Sequence, residues 1–161
     1  MIFVTVGTQF AFDRLIMAVD RWAMRQSAPD VVAQMGPSTY QPLAMKGYSY
    51  IAPSEFDEYE REAQLLISHA GTGSIFAAQE LGKPIIIMPR LNSLGEHRNE
   101  HQLSTAKQFL GKPSVYVAMN VKELNCLLDR KDELCGCAPI SPFASSGLID
   151  ALRSFFSANA I

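Results

Sequence analysis

One stretch, residues 65 to 102, decides what this chain can fold into. It opens on an apolar run, Leu65-Leu66-Ile67, and continues as Ser68-His69-Ala70-Gly71-Thr72-Gly73-Ser74 before a helix-like segment at 75–81. A second apolar run, Pro84-Ile85-Ile86-Ile87-Met88-Pro89, leads through a loop into Gly95-Glu96-His97-Arg98-Asn99-Glu100-His101-Gln102. Strand, glycine turn, helix, strand and polar helix start make a parallel-sheet unit whose two loops open on one edge. A glycine turn feeding a helix leaves the first backbone N–H groups of that helix unpaired and pointing outward, which suits a phosphate or diphosphate.

The rest of the chain repeats the alternation. Strands are expected at 1–6, 31–35, 43–46 and 114–118, beside those at 65–67 and 85–88. Phe12, Leu15, Ile16, Val19, Trp22 and Ala23 recur at helical spacing, with Asp13, Arg14, Asp20 and Arg21 on the other side. Further helices are expected at 56–63, 98–109 and 121–128. A last one, at about 145–157, places Leu148, Ile149, Leu152, Phe155 and Phe156 on one stripe. The segment between, 131–146, is polar and broken by Pro139 and Pro142, and reads as a surface excursion. Strands alternating with helices predict an α/β fold: an open, parallel, Rossmann-like sheet with helices on both faces, formed by residues 1–161 as a single domain. Ligands of such sheets sit beyond the carboxyl ends of the strands, so the Gly7, Gly71 and Gly95 loops should share that edge.

Composition narrows the function classes. A net charge of −2 and a pI near 5.9 give no electrostatic footprint for nucleic acid or anionic lipid. No apolar run approaches the roughly 20 residues of a membrane span. The start, Met1-Ile2-Phe3-Val4-Thr5-Val6, reads as a strand rather than a signal peptide. Cys126, Cys135 and Cys137 are expected as reduced thiols of a cytoplasmic protein; a three-sulfur metal site is the weaker reading.

The motifs exclude some nucleotide sites and leave others open. Gly71 and Gly73 match two positions of a dinucleotide fingerprint, but the third is Phe76, and no P-loop is present. What remains at 69–74 is a set of backbone donors, two hydroxyls and an imidazole beside a helix N-terminus. The same residues would also make a plain strand-to-helix turn with Thr72 or Ser74 as N-cap. Residues 97–101 fit H-x-x-E-H, a zinc-hydrolase spacing, and His69 could complete a three-histidine site with His97 and His101.

Val4-Thr5-Val6-Gly7-Thr8-Gln9, residues 67–75, Leu81-Gly82-Lys83-Pro84, and Glu96-His97 through His101-Gln102 together resemble the C-terminal, donor-binding half of the family 28 glycosyltransferases. The likeness covers roughly residues 1–120 and is greatest to small catalytic subunits of two-chain members, in dolichol-linked oligosaccharide synthesis and in bacterial exopolysaccharide assembly. The resemblance implies one Rossmann-like half of the two-domain GT-B architecture. The missing acceptor half would be a separate, membrane-associated subunit, which would recruit this cytoplasmic chain to the membrane's cytoplasmic face. It also implies transfer of a hexose or N-acetylhexosamine from a UDP-sugar, with inversion, to a polyprenyl-diphosphate-linked acceptor. No metal or other cofactor is expected.

By likeness, Gly71, Thr72, Gly73 and Ser74 would hold the UDP diphosphate, while Gly7, Thr8 and Gln9 would approach the phosphates or the base. Glu96, Asn99, His101 and Gln102 would bind the sugar, with Gln102 foremost. Phe56 falls where the family packs an apolar side chain on uracil, or is simply core. The charge of the departing diphosphate would be met by the helix N-terminus and His69, with Arg90 or Arg98 as further cations. His97 is the one candidate base here, though the base is expected on the partner. One departure stands out: the family's ribose-binding acidic residue is replaced by Ala77, and Glu80 lies one helical turn further on.

Overall fold

The computed structural model describes residues 1–26, 30–141 and 143–158. Six strands form one sheet in the order β3-β2-β1-β4-β5-β6. They are β1 (Ile2–Thr5), β2 (Val31–Gln34), β3 (Lys46–Tyr48), β4 (Leu65–His69), β5 (Ile85–Met88) and β6 (Val115–Val117), and every pairing is parallel. Parallel strands need crossovers, and helices α1 (Asp13–Ala23), α2 (Pro53–Glu62), α3 (Thr72–Glu80) and α4 (His101–Gln108) supply four of them; a loop joins β2 to β3, and α5 (Val121–Asp129) follows the last strand. The strand order reverses between β1 and β4, the switch point at which such sheets open a crevice.

Period-two side chains sort the core into two layers. Ile2, Val4, Leu65, Ile67, Ile86 and Met88 face α1 and α5, where Trp22, Leu124 and Leu128 are buried. Phe3, Leu66, Ile85 and Ile87 face the other way, toward Ile75 and Ala78 of α3, Ala106 of α4 and the rings of Phe56 and Tyr59 on α2. Both faces are covered, which is why β1, β2 and β5 are buried throughout and apolar except for the terminal Thr5 and Gln34.

Two polar devices fix the connections. Asp20 of α1 is fully buried, and its carboxylate accepts from the Tyr40 hydroxyl at 2.7 Å and from the backbone N–H of Leu43 and Ala44. Satisfied three ways, it pins the 36–45 loop at little of the usual cost of a buried charge. This pinning displaces the third strand: the expected span 43–46 is mostly loop, and the strand begins at Lys46. The second device lies in the Leu81-Gly82-Lys83-Pro84 motif, where the Lys83 ammonium donates to the Arg61 and Ala63 carbonyls and caps the end of α2.

Other boundaries shift for local reasons. Helix α2 starts at Pro53, suited to a first turn that has no use for its N–H. Helix α4 starts at His101 rather than 98, because the Asn99 side chain accepts from the His101 N–H. The last helix, α6 (Ser146–Ala158), forms as expected, yet buries none of its residues. Leu148, Leu152 and Phe156 are 53%, 47% and 67% exposed. Among the described residues no helix is long and apolar enough to cross a membrane. Pro142, expected to break the preceding segment, lies outside the described residues.

Candidate functional site

The Gly7, Gly71 and Gly95 loops follow β1, β4 and β5 and share the carboxyl edge of the sheet, as the alternation required. At the middle one, Gly71 is the N-cap of α3 in extended conformation, with no side chain capping the helix. Neither Thr72 nor Ser74 is that cap. The first helical bond runs from the Ile75 N–H to the Gly71 carbonyl, so the N–H groups of Thr72, Gly73 and Ser74 come before it in the ladder. A Cβ on Gly73 would meet nothing within 4 Å, leaving open space over the helix start.

The other two glycines make room for His69. Gly71 has an ordinary φ of −96°, but a Cβ there would lie 2.4 Å from His69 Nε2. Gly7 has φ +73°, and its Cβ would meet His69 Cε1 at 3.4 Å. The imidazole therefore sits between two backbone turns, with Nδ1 3.2 Å from the Ser68 hydroxyl. Burial, reinforced by the nearby Arg90 cation, lowers its pKa from 6.5 to about 4, although a hydrogen bond with the Thr5 backbone pulls the other way. His69 is thus neutral at pH 7. It can exchange a hydrogen bond with a phosphate, but the expectation that it carries charge against a diphosphate does not fit this ring.

Arg90, just past β5, is only 3% exposed. Its Nη2 donates to the Val6 and Phe10 carbonyls, both at 2.6 Å, which closes the β1–α1 loop from its two ends. The guanidinium lies 5.2 Å from the Phe12 ring and 6.0 Å from that of Phe10, and its buried Nε–H has no acceptor among the described residues. Burial lowers the pKa to about 10, so the charge persists at neutral pH. The backbone N–H of Arg90 donates to Gln102 Oε1, tying α4 to the end of β5.

The 91–100 loop is held largely by its own polar groups. Glu96 takes a two-pronged bond from Arg14, 2.7 Å to each oxygen, and also accepts from the Leu91 N–H. Arg14 in turn donates to the Pro89 carbonyl. The Asn99 carboxamide oxygen is 3.1 Å from His97 Nδ1, besides accepting from His101. His97 and Arg98 both approach the Phe10 ring, at 5.7 and 5.5 Å.

These loops enclose a cavity of about 320 Å³. Of the residues expected at the site, Gly7, Thr8, Gln9, His69, His97 and Gln102 line it, together with Phe10 and Arg90. Gly71, Thr72, Gly73 and Ser74 form the adjoining turn. Glu96 does not line the cavity and is clamped by Arg14. Asn99 and His101 are exposed at the start of α4. Phe56 packs edge-on against Phe3 at 5.0 Å, in the core layer of α2. His101 does not join His69 and His97 in lining the cavity. Among the described residues no group of three or more His, Cys, Asp or Glu converges as metal ligands would, the three cysteines included. A comparable hollow at the amino end of the sheet, bordered by Met1, Trp22, Asp30 and Lys131, has no glycine turn or imidazole.

Phe10 and the Arg14–Glu96 clamp carry no signature in the sequence, and Arg90 enters there only as an auxiliary cation. The signal for Arg90 is its place: a charged residue directly after a buried strand and Pro89 must either turn out to solvent or find partners inside.

The model of the glycosyltransferase family 28 C-terminal domain matches residues 1–129. The human UDP-N-acetylglucosamine transferase subunit ALG13 is 34% identical over 124 residues, which is 66% of this chain and 10% of that protein. The Candida albicans subunit of the same name is 34% identical over 90 residues, 56% of this chain and 28% of that one. The chain thus spans a minor part of these relatives' length. An NMR solution structure of ALG13 superposes with a TM-score of 0.58 at 18% identity, covering 94% of this chain and 93% of that one. Acinetobacter baumannii MurG gives 0.62 at 15% identity, over 94% of this chain and 49% of that one. The calicheamicin glycosyltransferase CalG4 gives 0.61, also at 15%, over 99% and 44%. These likenesses establish the fold, a Rossmann-like half of the GT-B architecture. With four-fifths of its length matched by one family model, the chain belongs to the glycosyltransferase family 28 C-terminal domain family.

Proposed function

We propose that this chain is the donor-binding subunit of a UDP-sugar-dependent glycosyltransferase. It binds a UDP-sugar at the β4–α3 turn and transfers a hexose or N-acetylhexosamine, with inversion, to a lipid-linked acceptor held by a second subunit. The observation that carries this is the uncapped start of α3, with open space over Gly73, beside a cavity lined by His69, Gln102 and the Gly7–Gln9 backbone. Helix N-termini of this kind receive anions.

The chemistry follows from what the residues can do. The acceptor hydroxyl attacks the anomeric carbon, the bond to the diphosphate breaks, and UDP departs carrying the electron pair. The N–H groups of Thr72, Gly73 and Ser74 stabilise the departing diphosphate. Neutral His69 holds a phosphate oxygen by a hydrogen bond, and Gln102 orients the sugar. Proton removal from the acceptor falls to the partner, because His97 lies at the rim against Phe10 and Asn99. With Ala77 in place of a carboxylate, ribose is gripped less firmly.

The partner is a membrane-associated, acceptor-binding subunit that draws this chain to the cytoplasmic face of a membrane, in polysaccharide or lipid-linked oligosaccharide assembly. The name of the ALG13 relatives, a transferase subunit, supports a two-chain enzyme. The uncovered row Leu148, Leu152, Phe156 on α6 is the docking surface assigned to that partner. Deleting residues 148–161 should leave the fold intact and abolish complex formation; an intact complex would refute the docking assignment.

Calorimetry decides the donor reading. UDP should bind the isolated chain, with sugar transfer only when the partner is added. Absence of heat with UDP, with or without the partner, would contradict the donor site, and binding without transfer under any pairing would make the chain a sugar-nucleotide sensor.

A further inference from the structure

Arg90 is a buried cation without a carboxylate partner within ion-pair distance among the described residues. A buried cation is ordinarily paired, since its desolvation is costly. Glu96, whose charge acts on Arg90 from further away, is bound to Arg14 and Leu91. Two carbonyl dipoles and two aromatic faces stabilise part of the charge, and the Nε–H is left with no acceptor. His69, whose ring feels the Arg90 charge, is neutral and offers no counter-charge.

The position of this residue is equally specific. Arg90 lines the cavity, and the carbonyls it clasps, those of Val6 and Phe10, bracket Gly7, Thr8 and Gln9. One side chain therefore both holds the two ends of that loop and places a positive charge in the cavity wall. A preorganised charge in a water-poor pocket acts more strongly on an incoming ion than an exposed one.

We propose that Arg90 is an anion-recognition and loop-positioning residue of this site, and that the ligand's phosphate group is the counter-ion its burial lacks. A helix N-terminus and a buried guanidinium then approach one diphosphate from two elements, α3 and the end of β5. The identity of the anion as a diphosphate rests on the donor reading; the demand for an anion rests on Arg90 itself. Lysine cannot reproduce the arrangement: Nη2 alone holds both carbonyls, and an ammonium in its place would lack the Nε–H and the planar face that lies near the rings.

The test observes the Arg90 side-chain Nε–H resonance of the wild-type, ¹⁵N-labelled chain, assigned by its loss in Arg90→Lys. Inorganic pyrophosphate, UDP and uridine are titrated separately. Pyrophosphate and UDP should shift the resonance and slow its exchange with water, while uridine leaves it in place. Arg90→Lys and Arg90→Gln should bind UDP roughly 10- to 100-fold more weakly. In Arg90→Gln the His69 titration should also move upward, whereas Arg90→Lys, which keeps the charge, should hold it near the wild-type position. A response to pyrophosphate without any to UDP would support the anion site and defeat the donor reading. UDP binding that leaves the resonance unmoved would overturn the proposal while the donor reading stands, and so would a resonance that neither ligand moves at saturating concentration.

Discussion

The two halves of the 65–102 stretch do opposite things with their polar groups. The first, the β4–α3 turn, leaves them open: Gly71 caps nothing with a side chain, and Gly73 faces empty space. The second, the 91–100 loop, ties them to one another and to distant residues. Glu96 binds Arg14, and Asn99 binds His97 and His101. Unpaired donors can receive a ligand, whereas satisfied polar groups hold a shape. On the proposed donor reading, the turn offers backbone N–H groups to the diphosphate and the loop's side chains shape the site around it.

Removing the loop's clamp should have the largest effect. Glu96→Gln leaves the Arg14 guanidinium, itself only one-fifth exposed at the side chain, without its charge partner. The expected loss is about 3 kcal/mol, with faster amide exchange confined first to 91–100. Chemical denaturation of both proteins measures it, and an unchanged midpoint would mean that the loop is not held this way.

The turn has its own pH signature. Because the His69 pKa is lower in the folded chain (about 4) than unfolded (6.5), the unfolded state takes up the proton first on acidification. This contribution is complete above about pH 6.5 and is lost between there and about pH 4, by up to about 3 kcal/mol. A His69→Gln chain should lack that part of the stability-versus-pH curve. If its curve parallels the wild type throughout, the imidazole is not buried between the two turns.

Two alanines sharpen the distinction within the turn. Gly71→Ala drives a methyl into His69 and should cost about 1–3 kcal/mol, with the imidazole displaced. Gly73→Ala meets no atom and adds helix propensity, so stability should hold or rise by up to about 1 kcal/mol. Yet both should weaken UDP binding, the first by disturbing His69 and the second by occupying ligand space. Unaltered affinity in the stable Gly73→Ala chain would place the diphosphate elsewhere.

What is legible in the sequence follows the range of each interaction. Strands β1, β2, β4 and β5 are short apolar runs, and their burial on both faces is a local property of composition. β3 departs from its expected span because its three residues, Lys46-Gly47-Tyr48, are exposed at the sheet edge, and because Asp20, more than twenty residues away, shapes the loop before it. The glycine turn is readable, although Gly71 serves the imidazole two residues earlier rather than a special φ. Arg14 with Glu96, and Arg90 with Val6, pair across more than eighty residues, and no local pattern announces them. Helix α6 is visible from its stripe, but a stripe does not tell whether its cover comes from the same chain.

If the N–H groups opening α3 hold the pyrophosphate of an activated sugar, their amide chemical shifts in the ¹⁵N-labelled chain must respond to a UDP titration. The resonances of Thr72, Gly73 and Ser74 should move furthest and saturate together, with Gly7, Thr8 and Gln9 following. Saturable binding that leaves the Thr72, Gly73 and Ser74 amides in place would contradict that placement of the pyrophosphate.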